Sequence, residues 1–459
     1  MNLEGMRVLV VGFGITGQPL VEFLHRKGAR ITLTDEKSEQ LLGDSLEKVK
    51  HIPFDKVLGG HPTGLEAYGT PEMIIVSPGV PLDLHFIKAF KMMKTPIIGE
   101  IELAYQFMNN PLVAITGTNG KTTTTALTGE IFKIGGKKPE VVGNIGIPII
   151  EKIDAVSEDQ CFVMEVSSFQ LETINEFRPT TAALLNITPD HLNRHGSMEA
   201  YASLKFRIFE NQREDDVAVI NADDRTCMRL SNQIKSRICY FSRLHPQENG
   251  VFLKDSKMML RWDDVEKQII NIESIRIPGA HNIENAMAAT GLAIASEVPV
   301  EAVREGLMSF KGVEHRIEQV AQIDGVTYVN DSKATNPDAA MKAIEAINAP
   351  IILLAGGMDK HNDFNDLFKT FNHKVTHVIV YGETADQLMQ TAQDIKFQDI
   401  EKVKDLEEAV HRASNLATKG HTVLLSPACA SWDMYPSYEH RGNHFKEIVK
   451  SRIKSNGNQ

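Results

Sequence analysis

The chain has 459 residues, 42% of them hydrophobic and 24% charged, and a formal net charge of −11. That length exceeds one ordinary domain and that apolar fraction suits packed cores, whereas the acidic balance argues against a nucleic-acid partner, whose phosphates need a basic surface. The cysteines (Cys161, Cys227, Cys239, Cys429) show no C-x-x-C spacing, no apolar run approaches the ~18 residues of a membrane span, and Met1-Asn2-Leu3-Glu4-Gly5 is no basic-then-apolar leader; a cytoplasmic protein without disulfides, zinc site or membrane insertion is expected.

The first segment, 1–98, alternates strand and helix signals. Arg7–Val11 reads as a buried strand, and Gly12-x-Gly14-x-x-Gly17 turns into a helix running to about Lys27. A second strand, Ile31–Thr34, ends at Asp35, and further strand runs lie at Met73–Val76 and Ile97–Ile98. Such alternation predicts a Rossmann-like parallel sheet. The glycines allow a tight turn and close approach of backbone to a diphosphate, while Asp35 suits a ribose hydroxyl. A nicotinamide cofactor and a UDP-sugar both satisfy these requirements, so the turn alone leaves an oxidoreductase or NAD-binding regulator open.

The second segment, 99–312, holds the most specific motif. The apolar run Leu112–Thr116 leads into Gly117-Thr118-Asn119-Gly120-Lys121-Thr122-Thr123 and then a helix from Thr122 to about Ile134. Strand, glycine turn, Lys-Thr and helix form a P-loop, here shortened because Ile115 stands where the full pattern has glycine. Its N–H groups wrap a phosphate chain, Lys121 reaches the outer phosphates and the Thr122 hydroxyl meets Mg²⁺, so ATP is the expected nucleotide. A Mg²⁺-organising carboxylate belongs at a neighbouring strand end, and Glu165 ends such a run within the expected strand Phe162–Val166. The next expected strand, Ala183–Ile187, leads into a loop carrying Asp190 and His191; another strand lies at Val217–Ile220, Val251–Ile277 alternates like antiparallel hairpins, and a helix spans about Asn282–Ala295.

The third segment, 313–459, alternates again, with strands at Val326–Asn330, Ile351–Ala355, His377–Tyr381 and Thr422–Ser426 and helices between them near Asp338–Ile347, Ala385–Ala392 and Leu406–Ala417. The expected architecture is α/β in three domains: a Rossmann-like N-terminal sheet, a central P-loop ATPase domain and a Rossmann-like C-terminal domain.

The stretches GTNGKTT, MEVSSFQLE, NITPDHLNRHG, PGAHNIENAMAA, the EHR of Glu314–Arg316, the NDSKATN of Asn330–Asn336 and the SPACASWD of Ser426–Asp433 resemble those of the Mur ligases, over essentially the whole chain. The resemblance implies an ADP-forming amide ligase of peptidoglycan precursor synthesis, and the forms of MEVSSFQLE, DSKATN and SPACAS resemble the branch that adds D-glutamate to UDP-N-acetylmuramoyl-L-alanine. The Asp-Asn-Pro-Arg of the branch adding a diamino acid is absent. It further implies UDP-substrate contacts at Gly14, Ile15, Thr16, Asp35, Ser77 and Gly79, and contacts near the muramoyl-alanine end at Asn144 and His191. Thr122, Glu165 and His191 would surround two Mg²⁺ ions, with Lys205 carbamylated to support the second. Lys121 is the expected stabiliser of the transferring phosphoryl group. Asn282 and Asn285 would read adenine; Arg316, Asp331 and Lys333 would meet phosphates and ribose; Thr335, Lys360, Ser431 and Tyr438 would hold D-glutamate. A monomer with small-molecule partners is expected. A folylpolyglutamate synthetase, the rival within the superfamily, usually lacks a preceding glycine-turn domain.

Overall fold

The computed structural model describes residues 1–456 except 15, 145–146, 278, 348–349, 360–361 and 372. Its contacts gather the chain into two units, Met1–Ser274 with Glu284–Met308, and Ile275–Ile283 with Ser309–Gln459. The first unit holds two sheets and the second holds one.

The N-terminal sheet runs Asp55–Leu58, Arg30–Asp35, Arg7–Val11, Met73–Val76, Ile97–Gly99, all parallel. Its central strand is the run Val8-Leu9-Val10-Val11, every residue buried, because helices on both faces of a parallel sheet leave no solvated side. The central sheet has nine strands. Seven pair in parallel in the order Gly250–Lys254, Arg237–Ser242, Val217–Asn221, Thr181–Leu184, Leu112–Thr116, Gln160–Glu165, Lys138–Gly143. Lys257–Trp262 and Val265–Asn271 extend one side antiparallel. Both hairpin turns are two residues with positive φ, Asp255-Ser256 and Asp263-Asp264, the twist that lets a tight turn join strands of right-handed pleat. In the second unit Glu318–Ile323 pairs antiparallel with Val326–Asn330, followed in parallel by Thr422–Leu425, Ile351–Gly356, Val375–Tyr381 and Ile400–Lys402.

The expected strands form, with shifts of a few residues, but the interior strand Arg237–Ser242 of the central sheet was not among them; the expected strand Ala183–Ile187 occupies Thr181–Leu184, releasing Leu185 onward into the loop beside the glycine turn. Asp55–Leu58, Lys138–Gly143, Glu318–Ile323 and Ile400–Lys402 carry no such run, and each is an edge strand of its sheet. Edge strands keep charged side chains, which blunt further pairing, so periodicity passes over them.

The two sheets of the first unit are joined through buried carboxylates. Helix Glu100–Tyr105 follows the last N-terminal strand. Glu102, fully buried, accepts the backbone N–H groups of Asn175, Glu176 and Phe177 at 2.8, 2.9 and 2.9 Å, and Glu100 accepts that of Ile150 at 2.9 Å. Burial pushes the Glu100 carboxyl from its ordinary 4.5 to about 7, the Ile150 bond opposing it. The folded chain therefore keeps a proton that the unfolded chain releases, and stability falls as pH rises between 4.5 and about 7. Glu100→Gln retains an acceptor without the charge. Its Tm is expected to exceed the wild type's by a few degrees at about pH 8, the gain vanishing near pH 5; paired thermal melts check this, and a variant less stable at the higher pH would contradict it.

Candidate active site

The glycine turn of the central sheet leaves the buried strand Leu112–Thr116 and enters helix Lys121–Ile134. Gly117 and Gly120 have φ of 156° and 86°, and a Cβ on Gly120 would stand 2.3 Å from Asn285 Oδ1. Glycine is thus required twice over at Gly120, by conformation and by space. The neighbouring loop fixes the turn: Thr118 N–H donates to Asn186 O (2.9 Å), Asn119 N–H to Asn186 Oδ1 (2.9 Å), and Asn186 Nδ2 returns a bond to Asn119 O (3.0 Å). Thr118 Oγ1 donates to Thr188 O at 3.2 Å and lies 3.2 Å from the Tyr201 hydroxyl.

Around this turn the structure gathers much of the expected set. Lys121 Nζ donates to Gly117 O (2.9 Å) and Thr118 O (2.8 Å). Thr122 Oγ1 donates to Glu165 Oε2 at 2.7 Å, and Asn144 Nδ2 to Glu165 Oε1 at 3.2 Å. Glu165 is 2% exposed at the end of strand Gln160–Glu165. Two neutral donors leave its carboxylate with further lone pairs, so Thr122 and Glu165 form a hard-oxygen pair of the kind Mg²⁺ takes when most remaining ligands are water and phosphate. Among the described residues no group of three or more His, Cys, Asp or Glu is arranged to hold an ion.

Lys205 is buried: it is 1% exposed, its Nζ donates to Gly117 O at 2.7 Å and lies 4.7 Å from the Tyr201 ring centre. Burial holds its pKa well below the usual lysine range, the nearby Lys121 charge acting in the same direction and Asp190 and Glu165 opposing. His191 stands in the left-handed region (φ 53°), its N–H on Asp190 Oδ1 at 2.9 Å and its ring edge-on to Phe169. Asn285 accepts from Thr124 Oγ1 at 3.3 Å, backing the glycine turn. Asn282, 5% exposed, opens the same helix, Ala280–Ala295.

In the N-terminal sheet, Gly12 has φ 91° and closes against Ser77, whose Oγ donates to Gly12 O at 2.8 Å. Asp35 accepts the N–H groups of Phe13 (2.6 Å) and Lys37 (2.8 Å), so the carboxylate expected at a ribose also shapes the turn itself. Thr16 precedes helix Gly17–Arg26 without capping it by side chain. A Cβ on Gly14 or Gly79 would meet no atom within 4 Å, leaving both open to a ligand. Ile15 lies outside the described residues.

The second unit assembles its own cluster. Asp331, fully buried, accepts from Ser426 Oγ (2.8 Å) and Ile317 N–H (3.2 Å) and faces Arg316 at 3.9 Å. Burial lifts its pKa to about 6 against the pull of Arg316. Lys333 Nζ sits 5.3 Å from the Tyr438 ring centre, and Thr335 N–H bonds Lys333 O. Ser431, 2% exposed, accepts the N–H groups of Met434 and Tyr435. Lys360 lies outside the described residues.

Three contributors escaped the sequence reading. Arg441, 1% exposed, donates to Ser332 Oγ and O, Cys429 O and Ala430 O at 3.0, 2.8, 3.1 and 3.2 Å, clamping the loops that carry Asp331 and Ser431. Tyr201, four residues before Lys205, was findable from that helical spacing. Asn186 opens the NITPDHLNRHG stretch already noted, but its bracing of the glycine turn was not read, since a polar residue after a strand carries no periodic signal.

Models of known families match three stretches: the Mur ligase MurD-like, N-terminal domain over residues 6–99, the Mur ligase middle domain over 115–293, and the Mur ligase, glutamate ligase domain over 315–429. A UDP-N-acetylmuramoylalanine--D-glutamate ligase of Alkaliphilus oremlandii (strain OhILAs) is 51% identical over 98% of this chain and 99% of its own. One of Clostridioides difficile (strain 630) is 47% identical over 98% and 100%. Among solved structures, MurF from Acinetobacter baumannii covers 98% of this chain and 91% of its own at TM-score 0.62 and 16% identity. MurF ligase from Thermotoga maritima in complex with ADP covers 92% and 96% at TM-score 0.61 and 17% identity. At such identities these two show a shared fold.

Proposed function

The chain belongs to the Mur ligase family, and on that premise we propose that it joins D-glutamate to the alanyl carboxylate of UDP-N-acetylmuramoyl-L-alanine, converting ATP to ADP and phosphate in cytoplasmic peptidoglycan precursor synthesis. The observation that carries this reading is the 51% identity, over 98% of the chain, to a relative bearing that activity in its name. Segments 1–98, 99–312 and 313–459 would respectively hold the UDP-substrate, ATP and the amino acid, in a monomer.

A carboxylate is a poor electrophile and does not condense with an amine in water. Transfer of the γ-phosphoryl group to the alanyl carboxylate gives an acyl phosphate; the D-glutamate nitrogen then attacks the acyl carbon, and phosphate leaves with the C–O bonding pair. Negative charge builds on oxygen in both steps. Lys121, on the rim of the glycine turn, would stabilise it by position and charge. Asn144 and His191 would orient the alanyl end, Asn282 and Asn285 adenine, and Arg316, Asp331 and Lys333 the nucleotide's ribose and phosphates. Lys360, Thr335, Ser431 and Tyr438 would take the incoming dicarboxylate. Thr122 and Glu165 would hold Mg²⁺, with His191 and a carbamylated Lys205 at a second ion, and bound Mg²⁺ would offset charge on the phosphoryl oxygens.

Phosphate release with ATP and UDP-N-acetylmuramoyl-L-alanine tests the reading, with D-Glu, L-Glu, L-Ala and L-Lys supplied in turn. Release is expected with D-Glu alone. Release that prefers another amino acid, or needs none, would overturn the assignment.

A further inference from the structure

We propose that Arg194 is a positioning residue that holds the substrate loop of the N-terminal sheet in register with the phosphate-binding turn of the central sheet. Arg194 Nη2 donates to Val80 O at 2.9 Å and to Glu172 Oε2 at 2.8 Å. Val80 closes the turn begun by Ser77, its N–H on Ser77 O at 3.0 Å, and Ser77 Oγ holds Gly12 O at 2.8 Å. The guanidinium therefore grips the loop bearing Ser77 and Gly79, and through it the first glycine of the N-terminal turn.

Its other contact leads inward. Glu172 Oε1 lies 3.4 Å from His195 Nδ1, and His195 Nε2 lies 3.0 Å from Ser168 Oγ. The His195 ring is sandwiched between Phe169 and Tyr201, with centroids at 5.2 and 5.3 Å and interplanar angles of 28° and 26°. The Tyr201 hydroxyl then meets Thr118 Oγ1 in the glycine turn at 3.2 Å. Contacts thus run unbroken from Gly12 to Thr118.

Ser168, His195 and Glu172 follow the order of a nucleophile, base and acid. With Ser168 at 2% exposure and the His195 side chain at 1%, they form a packed column out of reach of substrate. Arg194 is the joint in this column. A planar guanidinium satisfies a carboxylate and a carbonyl at fixed angles, which a point-charge ammonium matches poorly. A displaced Val80 must break one of the two bonds.

The inference rests on the function proposed above, and the experiment separates the two. Steady-state kinetics of the full-length enzyme are compared for wild type, Arg194→Met, Arg194→Lys and Glu172→Gln, varying UDP-N-acetylmuramoyl-L-alanine, ATP and D-glutamate in turn. Arg194→Met is expected to raise KM for the UDP-substrate about tenfold with a smaller fall in kcat, leaving KM for ATP within about twofold. Arg194→Lys is expected to recover part of the loss, and Glu172→Gln to show a weaker change in the same direction; these two carry the test if Arg194→Met fails to fold. An unchanged KM for the UDP-substrate, or equal rises in all three KM values, overturns the positioning role. A wild type lacking D-glutamate-dependent phosphate release overturns the functional reading instead.

Discussion

Lys121→Ala is expected to lower D-glutamate-dependent phosphate release by about 10³-fold, with little change in Tm. The ammonium donates to Gly117 O and Thr118 O at 2.9 and 2.8 Å, and Gly117 O keeps a second donor in Lys205 at 2.7 Å. The turn is further fixed by Asn186, Thr188 and Tyr201. Removing Lys121 should therefore cost the fold little, whereas under the proposed function the transferring phosphoryl group would lose a positive charge held beside it. Lys121→Arg should restore little, because a forked guanidinium cannot occupy the space between two loop carbonyls as a compact ammonium does. Phosphate release and thermal melts on the same preparations check both halves. Turnover within about tenfold of wild type would remove Lys121 from phosphoryl transfer.

What could be read before the structure follows from where information sits in a chain. Interior strands such as Arg7–Val11 and Leu112–Thr116 must be apolar on both faces, so they announce themselves. The glycine turns are legible because they need residues of special conformation at fixed spacing: Gly120 at φ 86° faces Asn285, and Gly12 at φ 91° faces Ser77 and Val80. Four edge strands, Asp55–Leu58, Lys138–Gly143, Glu318–Ile323 and Ile400–Lys402, stayed hidden because their charged residues break the pattern, whereas the apolar edge strand Ile97–Gly99 was legible. Buried charges stayed hidden for a different reason. Glu100, Glu102, Lys205 and Arg441 lie on helices, where a charged residue ordinarily faces water. Their burial depends on partners far along the chain: Ile150 for Glu100, Gly117 for Lys205, Cys429 for Arg441. Periodicity cannot see such pairings. Lys205 entered the candidate set only through family resemblance, and the structure supplies its physical reason.

That reason makes Lys205 the second large effect. A buried amine that feels the Lys121 charge is pushed away from its charged form, and a neutral amine is the form that reacts with CO₂. Its lone pair forms the N–C bond, a C=O pair moves onto oxygen, and the nitrogen proton passes to solvent, leaving a carbamate. The product replaces a neutral amine by an anion within electrostatic reach of Glu165, whose pair with Thr122 is suited to Mg²⁺. If Lys205 works in this form, Lys205→Met should lose about 10²-fold or more of the activity. Wild type depleted of CO₂ should lose activity as well and regain it on adding bicarbonate, whereas the variant should not respond. Carbon-13 NMR after ¹³CO₂ exposure should show a carbamate signal in wild type alone. Stability moves the opposite way: burial makes the folded chain bind the Lys205 proton less tightly than the unfolded chain does, so methionine removes that penalty and offsets the lost bond to Gly117 O. A near-inactive variant that melts no lower than CO₂-depleted wild type separates a chemical role from a structural one; a bicarbonate-insensitive wild type without the carbon signal would exclude the modification.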